Sequence, residues 1–174
     1  MPVVIAIFGL PCAGKTQVAQ YLADRHPLLR LTTDVLRLKY GFASGPDTLA
    51  VMFQIADNLL PQKISIMFDG IHPRAQNRAE VRALANRHAA GSHIIFVTAE
   101  QGVITQRLQE RLEQPEETVA AGKFVITPEH FERLAGYLEL PGETETDVVI
   151  VDTTESKIEA QLSWLDARLA DCYL

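Results

Sequence analysis

The sequence predicts an α/β domain organised around a central parallel sheet, and three observations carry that expectation. Short apolar runs recur without polar alternation, as strands covered on both faces require. Stretches with helical spacing separate those runs, the pattern of successive strand–helix–strand units. Between the first run and the first helical stretch lies a turn rich in Gly, Pro and Ala, which lets the backbone reverse sharply.

The first run, residues 3–8, is β-branched and wholly apolar. Similar runs at 64–68, 93–97 and 148–151, with a weaker one at 29–31, supply the remaining strands. Helical spacing covers 15–24, 48–60, 73–89, 101–112, 129–138 and 156–170. Pro73 suits a first helical turn, where its missing N–H is not needed. Asn86 to Ser92, ending Ala-Ala-Gly-Ser, marks a helix end and a return to the sheet. Residues 40–47 and 114–128 are irregular and are expected to be mobile. No internal repeat, low-complexity tract or linker divides the chain. Trp164, Leu162, Leu165 and Leu169 read as the buried stripe of the last helix.

With 174 residues, 47% hydrophobic and 22% charged, the chain has the balance of one compact domain, so a single domain over 1–174 is expected. Sixteen Lys and Arg against twenty-two Asp and Glu give a formal charge of −6. Such a surface does not attract nucleic acid or anionic membrane as a whole, although a local basic cleft remains compatible with it. Cys12 and Cys172 have no zinc or dithiol spacing, which argues against a disulfide framework. Met1-Pro2 leads directly into a β-rich run with no basic region or cleavage site, and no apolar stretch approaches membrane-spanning length. The expected location is the cytoplasm.

Gly9-Leu10-Pro11-Cys12-Ala13-Gly14-Lys15-Thr16 fits G-x-x-x-x-G-K-[ST] between a buried strand and a helix, where a phosphate-binding loop belongs. Successive N–H groups converge on phosphate there, reinforced by the positive end of the helix dipole. Lys15 is expected to reach the β- and γ-phosphates of ATP, and Thr16 to coordinate Mg2+ through its hydroxyl. Cys12 departs from the glycine common at its position; inert packing is expected of it, with a thiol-sensitive loop as the alternative.

Further signals fall at strand ends, where ligands gather in open α/β sheets. In Thr32-Thr33-Asp34-Val35-Leu36-Arg37, Asp34 suits a general base and Arg37, one helical turn on, an anion on the acceptor; Asp34 could also simply cap the next helix. Phe68-Asp69-Gly70 offers an acid for Mg2+, or only a turn. Arg107 and Arg111 share a helix face before the irregular segment and are expected to close over the transferring phosphoryl group; a solvated Arg/Glu face is the plainer alternative. Arg74 and Arg78 are near enough to the third strand to bind an acceptor, whereas Arg82 should face solvent. The histidines have no metal-ligand spacing, and only His72 falls near the cleft.

Together these residues resemble the small P-loop kinases of the zeta-toxin, polynucleotide-kinase and chloramphenicol-phosphotransferase group, over nearly the whole chain. The resemblance implies a three-layer P-loop fold with a five-stranded parallel sheet in the order 2-3-1-4-5. A small lid would follow the fourth strand, at about 107–128. It also implies Asp34 as general base, Arg37 as acceptor arginine, Arg107 and Arg111 as lid arginines, and an adenine-side loop at Asp152 to Thr154, placing Thr153 among the nucleotide contacts. Cys12 and a short region between Arg37 and Ile64 depart from the group.

The expected activity is transfer of the γ-phosphoryl group of ATP to a hydroxyl or phosphate of a small molecule or nucleotide. A polynucleotide 5′-hydroxyl kinase uses the same Asp34 and Arg37 but needs a basic groove leading to them. A slow nucleotide-dependent switch needs only the loop, and no Asn-Lys-x-Asp guanine-reading motif is present to support a GTPase. A toxin acting on a cell-wall nucleotide sugar is a further alternative. The oligomeric state is not legible from the sequence.

Overall fold

The apolar runs form strands β1 (Val3–Phe8), β2 (Leu28–Thr32), β3 (Ser65–Asp69), β4 (Gly91–Thr98) and β5 (Val148–Asp152). They pair in parallel in the order β2-β3-β1-β4-β5. Helices α1 (Lys15–Ala23), α2 (Thr33–Tyr40), α3 (Gly45–Leu59), α4 (Ala75–Arg87), α5 (Gln101–Glu113), α6 (Pro115–Ala120), α7 (Pro128–Gly136) and α8 (Glu159–Tyr173) complete the chain. The structure, a computed structural model, describes every residue except 42–44, 71–73, 156–157 and 174. His72, Pro73, the start predicted for the last helix and part of the irregular segment at 40–47 therefore lie outside the described residues.

The unbroken burial of β1 has a direct cause. Val3, Ile5 and Ile7 join a core with Val18 and Leu22 of α1, Ile104 of α5 and Leu162, Leu165 and Leu169 of α8. Val4, Ala6 and Phe8 join a second core with Met52 and Ala56 of α3 and Val81, Leu84 and Ala85 of α4. Both pleat faces are thus covered, and each fully buried aliphatic side chain contributes about 1.5–3 kcal/mol. No helix among the described residues is long and apolar enough to cross a membrane.

Two elements differ from expectation. The segment at 114–128 contains α6, which begins on Pro115 with Glu116 and Glu117 in its first turn. Those are favourable helix-start residues, and the acidic composition concealed them. On α8, Leu162, Leu165 and Leu169 are buried, as is Ile158 just before it, but Trp164 is 42% exposed. At about 100° per residue, position 164 falls on the far side of the helix from that stripe.

The parallel register lines up the carboxyl ends of the strands. Ile7 and Thr32 lie opposite Asp69, Phe8 opposite Phe96, and Thr98 opposite Asp152. The loop after β1, the start of α2 and the acid ending β3 are thereby brought to one edge of the sheet.

Candidate active site

Both fixed glycines of the phosphate loop are dictated by their surroundings. Gly9 has φ 145°, and a β-carbon there would lie 2.1 Å from the carbonyl oxygen of Val97. Gly14 has φ 91°, and its β-carbon would meet Thr153 Oγ1 at 2.6 Å. No side chain caps α1 at Gly14, so the positive end of the helix is open to an anion. Lys15 Nζ donates to the carbonyls of Gly9 (3.0 Å) and Leu10 (2.7 Å). Burial pushes the Lys15 pKa down, and the carboxylates of Asp69 and Asp34 oppose that shift.

Cys12 occupies the left-handed region with φ 65°, which explains why glycine suits its position. The departure costs roughly 1–2 kcal/mol for an L-residue. Its side chain is 4% exposed and packs into the core around β1. Burial pushes the thiol pKa up, against the nearby charges of Arg111, Lys15, Arg107 and Lys123. The thiol is therefore protonated near neutral pH and expected to be inert. Peptide mass spectrometry after iodoacetamide treatment at pH 7.5 should find Cys12 alkylated much more slowly in the folded protein than in the urea-unfolded chain.

The loop forms one wall of a cavity of about 1280 Å³ at the carboxyl edge of the sheet. Lys15, Arg37, Arg74, Arg107, Arg111 and Lys123 line it, against Asp34, Asp69, Glu110 and Glu117. A chain with excess acid thus concentrates six of its sixteen Lys and Arg here and only four of its twenty-two Asp and Glu. This is the local basic cleft that the overall charge left open.

Asp34 stands in the first turn of α2, but it is not the cap. Thr32 caps the helix, its hydroxyl accepting from the Val35 N–H at 3.1 Å. The Asp34 carboxylate instead faces the cleft and accepts from the Phe124 N–H at 3.4 Å. Arg37 lies over the Phe124 ring at 5.7 Å, and its buried Nε has no hydrogen-bond partner among the described residues. Arg74 lies over Tyr137 at 5.0 Å. Arg37 on α2 and Arg74 at the cap of α4 thus both line the cavity, each supported by an aromatic face.

Asp69, 5% exposed, ends β3 beside the loop. Its Oδ2 accepts from Arg30 Nε at 3.1 Å and Nη2 at 2.6 Å, while Arg30 Nη1 donates to Gln20 at 3.2 Å. Sequence reasoning missed Arg30; its one signal was a basic residue within an apolar strand. Because Arg30 engages only Oδ2, Asp69 Oδ1 and the Thr16 hydroxyl remain as hard oxygen donors in the cleft. That donor set fits Mg2+, which keeps much of its shell as water and phosphate oxygen.

The two predicted lid arginines have different surroundings. Arg107 is fastened to the base of the loop, with Nη1 donating to the carbonyl of Cys12 (3.2 Å) and Thr153 Oγ1 (3.0 Å), and Nη2 to the carbonyl of Thr153 (2.8 Å). The Arg111 guanidinium lines the cleft and makes no hydrogen bond or ion pair among the described residues. Thr153 is fully buried behind the loop and does not line the cleft, so the structure corrects its expected place among the nucleotide contacts.

Arg78 is also corrected. It is fully buried, bonded to both carboxylate oxygens of Glu145 and to the Glu139 carbonyl (3.0 Å), with the Phe8 ring 4.6 Å away. Arg82, expected to face solvent, binds Asp147 (2.7 Å) and Glu145 (3.1 Å). Both arginines clamp α4 to the segment before β5, so neither is available to an acceptor. The Arg78 guanidinium holds the Glu145 pKa down, from 4.5 to about 2. A depressed carboxylate contributes stability fully above its ordinary pKa and loses it as pH falls through the folded value. Glu145→Gln should cost about 3–5 kcal/mol near neutral pH, by leaving Arg78 buried without its counter-charge. Urea unfolding should show that difference from wild type shrinking between pH 4.5 and about 2.

Comparison with known proteins agrees with this fold. An adenylate kinase of Flavobacterium psychrophilum is 29% identical over 126 residues, 62% of this chain and 66% of that enzyme, just under two thirds of its length. Among solved structures, Chaetomium thermophilum Kti12 in complex with ADP-AlF3 superposes with a TM-score of 0.76 at 19% identity, covering 97% of this chain and 98% of that one. A gluconokinase from Sinorhizobium meliloti superposes with a TM-score of 0.66 at 18% identity, covering 98% and 94%. These two show the fold, a P-loop nucleotide-binding fold shared with small kinases. The family model described as AAA domain matches residues 4–141, the phosphate loop, Asp34, Asp69, Arg107 and Arg111 included, and the chain belongs to that AAA domain family.

Proposed function

We propose that this protein is an ATP-dependent kinase transferring the γ-phosphoryl group to a hydroxyl or phosphate of a small molecule or nucleotide. The observation that carries the reading is one cavity shared by the phosphate loop and a second set of groups, Asp34, Arg37 and Arg74. A nucleotide switch needs the first half alone; donor and acceptor sites facing each other suit group transfer.

ATP places its phosphates on the loop and the open end of α1, with Lys15 exchanging its loop carbonyls for β- and γ-phosphate oxygens. Thr16 and Asp69 would hold Mg2+, which would supply charge neutralisation at the phosphates. Arg37 and Arg74 fix an anionic group of the acceptor, and Asp34 takes the proton of its attacking hydroxyl. Arg111, with no intramolecular partner among the described residues, stabilises charge developing on the phosphoryl oxygens. A single domain with its lid over about 107–128 is part of the same reading.

Arg111→Ala should lower kcat by about a hundredfold or more, roughly 3 kcal/mol, with little change in KM for ATP; a rise in KM alone would remove Arg111 from this role. A coupled assay of ADP formation tests the reading as a whole. ADP release should accelerate with one class among sugars, nucleosides, nucleotides and 5′-hydroxyl oligonucleotides, whereas slow release indifferent to every acceptor would favour a switch.

A further inference from the structure

We propose that Thr153 and Arg107 are positioning residues that set the orientation of the peptide groups in the phosphate loop, and so its affinity for a nucleoside triphosphate. The inference rests on the triphosphate binding included in the reading above, not on phosphoryl transfer.

The planarity of the peptide bond makes it work. In a trans peptide the carbonyl and the following N–H point in opposite directions. The Thr153 hydroxyl, buried behind the loop, donates to the Ala13 carbonyl at 2.7 Å. The N–H of that same peptide belongs to Gly14 and is thereby turned away from Thr153, toward the cleft that Gly14 lines. One peptide earlier, Arg107 holds the Cys12 carbonyl, while the Ala13 N–H closes a turn on the Leu10 carbonyl at 3.2 Å. Together the two side chains fix the consecutive peptides on either side of Ala13, the first of which directly follows Cys12, the loop's strained residue. Strain of that kind persists where the surroundings over-determine it.

The bracket is itself anchored. The Thr153 N–H donates to the Thr98 carbonyl at 2.8 Å, which ties the residue to the end of β4. Its carbonyl and hydroxyl both accept from Arg107, so both capacities of the hydroxyl are used. Gly14 lacks a β-carbon where Thr153 stands, so the contact is matched on both sides. Arg107 bonds only neutral oxygens and has no ion-pair partner among the described residues, which leaves its charge beside the loop.

Equilibrium binding of a fluorescent ATP analogue, with no acceptor present, tests the proposal. Thr153→Val keeps shape and removes the hydroxyl; it should weaken binding tenfold or more. Thr153→Ser restores the hydroxyl and should bind within about threefold of wild type. Arg107→Lys keeps the charge but cannot span Cys12 and Thr153 together, and should lose about tenfold. Unchanged affinity in Thr153→Val, equal losses in the Val and Ser variants, or full affinity in Arg107→Lys would each overturn the positioning role. If Thr153→Val does not fold, the Arg107→Lys and Thr153→Ser results decide. Wild-type protein that binds the analogue but phosphorylates no acceptor would remove the kinase reading and leave this one standing.

Discussion

Lys15→Ala is expected to lower kcat/KM for ATP about a thousandfold or more, on the order of 4 kcal/mol of transition-state stabilisation. The ammonium sits at the mouth of the loop, bonded among the described residues to the Gly9 and Leu10 carbonyls, both of which it can exchange for phosphate oxygens. Asp69 and Asp34 act to keep it protonated against the cost of burial. Alanine removes a charge that Arg107 cannot replace, since it is committed to Cys12 and Thr153. The fold should survive, because Gly9 and Leu10 line a small pocket beside the loop in which their carbonyls can bond water instead. Steady-state ADP formation and circular dichroism check the two halves of this expectation.

Asp34→Asn is expected to cost about 10²–10⁴ in transfer to a hydroxyl, the usual worth of a positioned general base. Nucleotide affinity should stay nearly constant. The amide is isosteric and can still accept from the Phe124 N–H, so the cleft wall is preserved. Helix α2 also keeps its cap, which is Thr32, and loses only the favourable interaction of an acid with the helix dipole, about 0.3–1 kcal/mol. Loss of transfer with intact binding therefore isolates chemistry from structure. Full transfer by Asp34→Asn to a hydroxyl acceptor would mean that another group takes the proton.

What the sequence showed well was whatever local periodicity and strand ends encode. The run at 64–68 became Ser65–Asp69 and the run at 93–97 became Gly91–Thr98, shifts of a residue or two where strand ends join loops. The phosphate loop was legible because its chemistry is contiguous in the chain. Legibility failed where partners lie far apart. Nothing local marks Arg78 as the buried mate of Glu145, 67 residues on, or Thr153 as the support of Ala13, 140 residues back. Arg30 escaped for the same reason, since its pairing with Asp69 exists only through the β2–β3 register. Arg107 and Arg111 looked equivalent four residues apart on α5, yet the Thr153 turn engages one and not the other. Cys12 is an intermediate case. The sequence flagged it as unusual, and the left-handed backbone supplied the reason.

The proposed kinase activity depends on donor and acceptor sites that face each other across one cavity. It is tested most directly by incubating the protein with γ-labelled ATP and a panel of sugars, nucleosides, nucleotides, antibiotics and 5′-hydroxyl oligonucleotides, in wild-type and Asp34→Asn forms. Label should appear on one hydroxyl acceptor class with wild type and be lost with the variant. Label released only as inorganic phosphate, at a rate no acceptor changes and Asp34→Asn does not lower, would contradict it.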